Sequence, residues 1–222
     1  MSKHPISKSK AAASGKFKLG GDRVVHRLGF GAMRLTGRGV WGESQDPAAA
    51  RRLLRKVVDL GINLIDTADS YGPEVNELQI SQALHPYSKG LLIATKGGLT
   101  RSGPGAWAPV GRAEYLQQCV ELSLRRLKID CIDLYQLHRL DPQVPMAETL
   151  GCLKKLRRQG KIRHIGLSEV SVDEIKQARK IVPIVSVQNL YNFGNRQSED
   201  VLDYCTKHKL GFIPWFPLAA GK

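Results

Sequence analysis

The stretch Ile65-Asp-Thr-Ala-Asp-Ser-Tyr-Gly72 decides how this chain is read. An apolar run, Ile62–Asp66, ends in a carboxylate, and a phenol follows at Tyr71. Two later stretches repeat the design. Ile93-Ala-Thr-Lys96 ends an apolar run in an amine, and Leu134-Tyr-Gln-Leu-His138 ends another in an imidazole. In a parallel α/β barrel the carboxyl ends of the strands converge on one face, so Asp66, Tyr71, Lys96 and His138 are expected to share one pocket.

Outward from these stretches, strand-like and helix-like runs alternate. The strand candidates are 28–33, 62–66, 91–96, 131–138, 164–168, 184–188 and 212–215. Between them lie helix candidates at 46–60, 73–84, 111–127, 146–159, 172–181 and 198–208. Asp46-Pro47 reads as an N-cap followed by proline at the first helical position. Ser171 with Glu174 reads as a capping box. In 46–60 the apolar Ala50, Leu53, Leu54, Val57 and Val58 lie mostly opposite Arg51, Arg52, Arg55 and Lys56. Phe17–Gly21 and Asp22–Val25 read as a small hairpin ahead of the first strand. Seven strands with helices strictly between them imply a parallel sheet curling toward an eight-stranded (β/α)8 TIM barrel, an α/β fold. The count stops one strand short, so strand eight and the final helices are expected to be lacking. An open doubly wound sheet is the alternative, but Gly29-Phe-Gly-Ala-Met33 is not the GxGxxG turn it would want.

The bounds agree with one barrel domain, 16–222, behind a mobile basic tail, 1–15. At 222 residues the chain is long enough for one sizeable core. Its apolar runs are far short of a membrane span. The first 21 residues carry five lysines, no acid and no apolar signal segment. Cys119, Cys131, Cys152 and Cys205 show no metal-ligand or disulfide spacing, which fits a reducing, cytoplasmic setting. The net charge is +14, and +9 without the five leading lysines. The densest basic run, Lys154 to Arg163, is either a phosphate or nucleic-acid surface or the exposed end of a helix. No aromatics interleave with it, so the helix end is the reading adopted, with no nucleic acid and no membrane among the expected partners.

Taken singly, each of the four site residues has an ordinary alternative: a packing tyrosine, a solvated strand-end lysine, a core histidine. Together they suit proton transfer to a carbonyl. A phenol is a usable acid if a neighbouring ammonium lowers its pKa from about 10. A carboxylate fixes the lysine, and a neutral imidazole orients the carbonyl oxygen. Asp69, Glu74, Glu77 and Asp133 are read as solvated or helix-capping groups.

At these residues the chain resembles the aldo-keto reductase family. The matching stretches are 28–31 (LGFG), 66–72 (DTADSYG), 94–96 (ATK), 133–138 (DLYQLH), 160–168 (GKIRHIGLS), 187–189 (VQN) and 213–215 (IPW), in family order. The resemblance implies reduction of an aldehyde or ketone with NADPH, or NADH. It implies Tyr71 as proton donor, Lys96 as its partner, Asp66 as the lysine's partner and His138 as the orienting group. It places Ser168, Glu169 and Gln188 at the nicotinamide carboxamide and Trp215 at the stacking position. Gly31, Ala32 and Met33 fall beside the cofactor with Asp66, and Phe216, Pro217 and Leu218 near the pyrophosphate. Two residues depart from the pattern: Glu169 stands for asparagine and Phe216 for serine. The partner expected is a small carbonyl substrate, with self-association through open barrel edges. A catalytically weak barrel acting as a binding or regulatory subunit, or an inactive fragment of a reductase, is the alternative. Loops 36–45 and 99–110, with Trp41 and Trp107, are expected either to wall the pocket or to anchor themselves.

Overall fold

A computed structural model describes residues 10–219. The described chain opens with a 3-10 turn, Lys10–Ser14, and an antiparallel hairpin of β1 (Lys16–Leu19) and β2 (Arg23–His26). Then follow β3 (Phe30–Gly31), α1 (Pro47–Asp59), β4 (Leu64–Asp66), α2 (Val75–Leu84) and β5 (Leu92–Gly97). A minor hairpin of β6 (Leu99–Thr100) and β7 (Ala108–Pro109) precedes α3 (Ala113–Leu127). The rest is β8 (Ile132–Leu137), α4 (Met146–Arg158), β9 (Ile162–Ser168), α5 (Val172–Ile181), β10 (Ile184–Gln188), α6 (Glu199–Lys207) and β11 (Gly211–Phe212).

Seven strands form one parallel sheet in the order β3-β4-β5-β8-β9-β10-β11. Spatial order follows chain order with no reversal, which rules out the doubly wound alternative. The sheet curls as a barrel would and stays open, with β3 and β11 as its two edges. β5 is buried along its whole length, as expected of a parallel strand covered on both faces.

Local chemistry explains the helices. The Asp46 carboxylate accepts from Ala49 N at 2.7 Å, and Pro47 sits at the first helical position. Ser171 and Glu174 complete a reciprocal capping box on α5. α1 buries Ala50, Leu54 and Val57 while Arg52 and Arg55 face solvent. Leu54 packs with Ile65, Ile80 and Ile93 beneath β3 to β5, and a larger cluster around Leu116, Leu150, Leu153 and Ile165 fills the layer under β8 to β10.

The first hairpin plugs the amino-terminal mouth of the barrel. Its Leu19 and Val25 pack on Leu92, Ala94 and Leu134. Arg23 ion-pairs with Asp133, which also accepts from Arg163 Nε at 3.1 Å, and His164 Nε2 meets Asp22 Oδ1 at 2.6 Å. Asp133 is therefore an anchor for the hairpin and not a free surface carboxylate. The polar ends of the strands lie at the opposite mouth.

Several boundaries differ from the sequence expectation. Of the expected tail, residues 1–9 lie outside the described residues. Residues 10–14 belong to the fold, because Ala11 is buried against Val57 and Ile62. The first strand shrinks to Phe30–Gly31 and turns into a 3-10 segment, Met33–Leu35. The last strand is Gly211–Phe212, although Ile213 N and Trp215 N still bond to Val187 O and Asn189 O. Pro214 stands between these two donors, where a backbone N–H would point away from β10, so its missing N–H costs the pairing nothing. The β6–β7 hairpin falls in a stretch expected to be loop; two-residue strands carry no alternation to read. The basic run closes α4 with Lys155, Arg157 and Arg158 in its last turn, and Lys161 pairs with Glu121. Among the described residues, no helix is long and apolar enough to cross a membrane.

Candidate active site

β4, β5 and β8 are neighbours, and their register sets Asp66 beside Ala94 and Lys96 beside Gln136. Side chains two apart on a strand share a face, so Gln136 and His138 point the same way. The result is one connected set of polar groups. Lys96 Nζ donates to Asp66 Oδ2 at 2.7 Å, to Thr67 O at 2.9 Å and to the Tyr71 hydroxyl at 3.2 Å. The other Asp66 oxygen, Oδ1, accepts from Gln136 Nε2 at 3.0 Å. Gln136 stands inside a stretch that reads as motif, yet the sequence alone did not single it out.

Tyr71 reaches Lys96 because the chain doubles back after β4. Thr67 N and Asp69 N bond to Ala94 O and Lys96 O, and Thr67 Oγ1 donates to Asn76 Oδ1 at 2.6 Å. Gly72 makes the turn with φ +84°, and a Cβ there would come within 2.7 Å of Val75 Cβ. Only glycine fits both demands.

His138 closes the set. Its ring lies 5.7 Å from the Tyr71 ring at 81°, and its Nδ1 is 3.3 Å from Ser70 Oγ. Trp107 stands edge-on to both rings, 6.3 Å from Tyr71 and 6.1 Å from His138.

The electrostatics follow from burial and neighbours. Burial alone would lower the Lys96 pKa, but Asp66 and Tyr71 outweigh it, so the ammonium is held above its ordinary range. Burial raises the Tyr71 phenol; Lys96 opposes this, and the balance still lies above the ordinary value. The expectation that Lys96 leaves this phenol with a lowered pKa is therefore corrected: the lysine limits the rise and does not reverse it. His138 is pushed well below its ordinary value, first by burial and then by Lys96, Arg139 and Arg101. It is a neutral imidazole at neutral pH.

Behind this set, two carboxylates expected to be solvated are buried. Glu77 accepts from Thr95 Oγ1 and Arg126 Nε, each at 2.6 Å. Asp69 is pushed up to about 7, by burial first and by the Glu77 charge second. Glu74, exposed and within 3.3 Å of Arg126, is the surface group it was read to be.

A cavity of about 1440 Å³ runs past this cluster and along the gap between β3 and β11. Asp66, Tyr71, His138, Gly31, Met33, Ser168, Gln188, Trp215, Phe216, Pro217 and Leu218 all line it. Lys96, wholly buried, reaches it only through Asp66 and Tyr71. Ala32 does not line it; it is buried, with its N–H on Asp66 O and its carbonyl on Asn76 Nδ2. Glu169 also turns elsewhere: its Oε1 accepts from Leu190 N at 2.7 Å and from the Trp215 indole N–H. Arg139, not foreseen as a site residue, lines the cavity and donates to Ser168 Oγ at 3.1 Å.

The profile of the Aldo/keto reductase family matches residues 27–222. An uncharacterized oxidoreductase of Schizosaccharomyces pombe, C215.11c, is 53% identical over 211 residues, which is 95% of this chain and 68% of that protein. The aldo-keto reductase AKR11C1 from Bacillus halodurans, solved in a holo form, superposes with a TM-score of 0.79 at 34% identity, over 90% of this chain and 65% of its own. An aldo/keto reductase from Klebsiella pneumoniae, solved with NADP and acetate, gives 0.72 at 27% identity, over 93% of this chain and 70% of its own. The chain thus spans about two thirds of the length of the proteins it matches.

Proposed function

The chain belongs to the aldo/keto reductase family, and on that premise we propose that it reduces an aldehyde or ketone with NADPH or NADH, Tyr71 giving the proton. The single observation that carries this reading is the wholly buried Lys96 ammonium, bonded at once to Asp66 and to the Tyr71 hydroxyl. A buried charge is costly unless paired, and here the pairing is directed at a phenol that faces a cavity.

The cavity fits a nicotinamide. Gln188 is 4% exposed, yet its side-chain amide has no partner among the described residues. Its amide opens onto the cavity, where a ligand carboxamide would supply both a donor and an acceptor. Ser168 Oγ accepts from Arg139 and keeps its own O–H for a ligand. Trp215 is held by its indole N–H on Glu169, so that its ring flanks this end of the cavity. Gln188, Ser168 and Trp215 would hold the nicotinamide, and Phe216 to Leu218 would approach the phosphates. When bound, the cofactor supplies a hydride.

The residues of the chain then act in turn. Neutral His138 presents an N–H to the carbonyl oxygen when Ser70 Oγ donates to Nδ1, leaving Nε2 protonated. Tyr71 transfers its proton to that oxygen as the carbonyl carbon is reduced. The phenolate left behind is stabilised by the Lys96 ammonium at 3.2 Å, which keeps its own proton because Asp66 holds it.

The test is cofactor consumption with a panel of aldehydes, comparing the chain with Tyr71→Phe. The variant is expected to lose roughly 10²–10⁴-fold in the chemical step. Equal turnover would remove Tyr71 from the mechanism. A second reading, a barrel that binds cofactor with little turnover, is favoured by the open gap between β3 and β11. Saturable quenching of Trp215 by NADPH without turnover on any aldehyde would select it.

A further inference from the structure

We propose that Arg101 is a positioning residue that builds the substrate mouth and sets its preference for carbonyl compounds with bulky apolar substituents; this rests on the reductase reading above. Arg101 follows β6 in a stretch with little regular structure. All five of its N–H groups are engaged. Nε donates to Ala106 O at 2.8 Å, Nη1 to Val40 O at 2.8 Å and Ser70 O at 2.7 Å, and Nη2 to Gly39 O at 2.8 Å and Gly103 O at 3.3 Å. The acceptors belong to three separate segments: the loop after β3, the turn that carries Tyr71, and the loop that carries Trp107. Among the described residues, no carboxylate lies within ion-pair range of it. Carbonyl dipoles and two indoles face the charge instead, with the guanidinium 3.5 Å above the Trp107 ring and 5.6 Å from that of Trp41.

This arrangement fixes Trp107, which burial does not: the residue is 38% exposed. One face rests on Arg101, and the ring meets Tyr71 and His138 edge-on. The loops interlock around the same point. Gly105 N bonds to Gly39 O at 2.9 Å, and a Cβ on Gly39 would come within 2.8 Å of Pro104 Cβ. Because no donor of Arg101 is left over, the wall it supports offers the substrate the indole of Trp107 beside Val40, Leu99 and Leu140. Such a wall favours an apolar, above all aromatic, substituent on the carbonyl carbon. A short aliphatic aldehyde would not reach it. Lysine cannot replace this arginine, since three donors on one point cannot serve five carbonyls in a plane.

The experiment compares Arg101→Lys with the parent chain on propanal and on 2-naphthaldehyde. Expected is a rise in KM for the aromatic aldehyde that exceeds any rise for propanal by roughly tenfold or more, the scale of a lost apolar contact, with NADPH quenching of Trp215 little changed. Equal losses on both aldehydes, or no loss on either, would overturn the proposal. A second measurement needs no turnover. In a Trp41→Phe/Trp215→Phe background, Arg101→Lys is expected to increase acrylamide quenching of Trp107 with unchanged far-UV circular dichroism. A Trp107 as protected as before would overturn the role of Arg101 even if the chain reduces nothing, whereas absent turnover with increased quenching would count against the reductase reading alone.

Discussion

Asp66→Asn removes the carboxylate paired with Lys96 while keeping its shape. The lysine side chain is wholly buried and that of Asp66 is 14% exposed, with 2.7 Å between them. Taking one partner from a buried pair costs about 3–5 kcal/mol, and the partial exposure of Asp66 places this case near 3 kcal/mol. In a domain of this size that corresponds to a melting temperature lower by about 6–12 °C. The pH dependence separates this cause from general damage. In the parent, burial lowers the Lys96 pKa, but Asp66 and Tyr71 more than offset it and the balance is raised. Its stabilisation is then fully present below the unfolded lysine value of about 10.4 and is lost as pH rises through the folded value. In Asp66→Asn burial acts without an opposing charge, so the folded pKa falls below the unfolded one. Stability then increases with pH from that depressed value up to about 10.4. Urea melts followed by circular dichroism from neutral to alkaline pH should show the parent and variant curves converging. Asp66→Asn/Lys96→Met, which removes both charges, should recover most of the stability and none of the activity. A loss below about 1 kcal/mol, the scale of an exposed pair, or parallel pH curves, would refute the reasoning.

His138→Ala should lower kcat/KM on every aldehyde while NADPH still quenches Trp215 as in the parent, and Ser70→Ala should act more mildly in the same direction; intact turnover with weakened cofactor binding would place His138 elsewhere. Asp69 is pushed up to about 7, so its contribution to stability is fully present below the unfolded value of about 3.9 and is lost as pH rises through the folded value. The parent should therefore lose stability between about pH 4 and about pH 7 relative to Asp69→Asn, and melting curves that stay parallel over that range would rule this out.

The strands that carry Asp66, Lys96 and His138 were legible because each is a continuous apolar run ended by one polar group, a local pattern. Caps such as Asp46 and Ser171 were legible for the same reason, since their partners lie three residues away. Their arrival in one cavity followed from the convergence of parallel strands. What no local pattern held was the partner of each buried polar group. Glu77 looks like a surface glutamate on α2 until Arg126, 49 residues on, reaches its carboxylate. Glu169 stands where a cofactor contact was expected, yet Trp215, 46 residues on, takes its oxygen. Arg101 lies in a loop with no motif, and its acceptors include carbonyls 61 and 62 residues earlier. A polar side chain is buried only where distant segments complete its hydrogen bonds, so the sequence determined which residues stand at the strand ends, and tertiary packing alone decided which of the remaining charges are held inside.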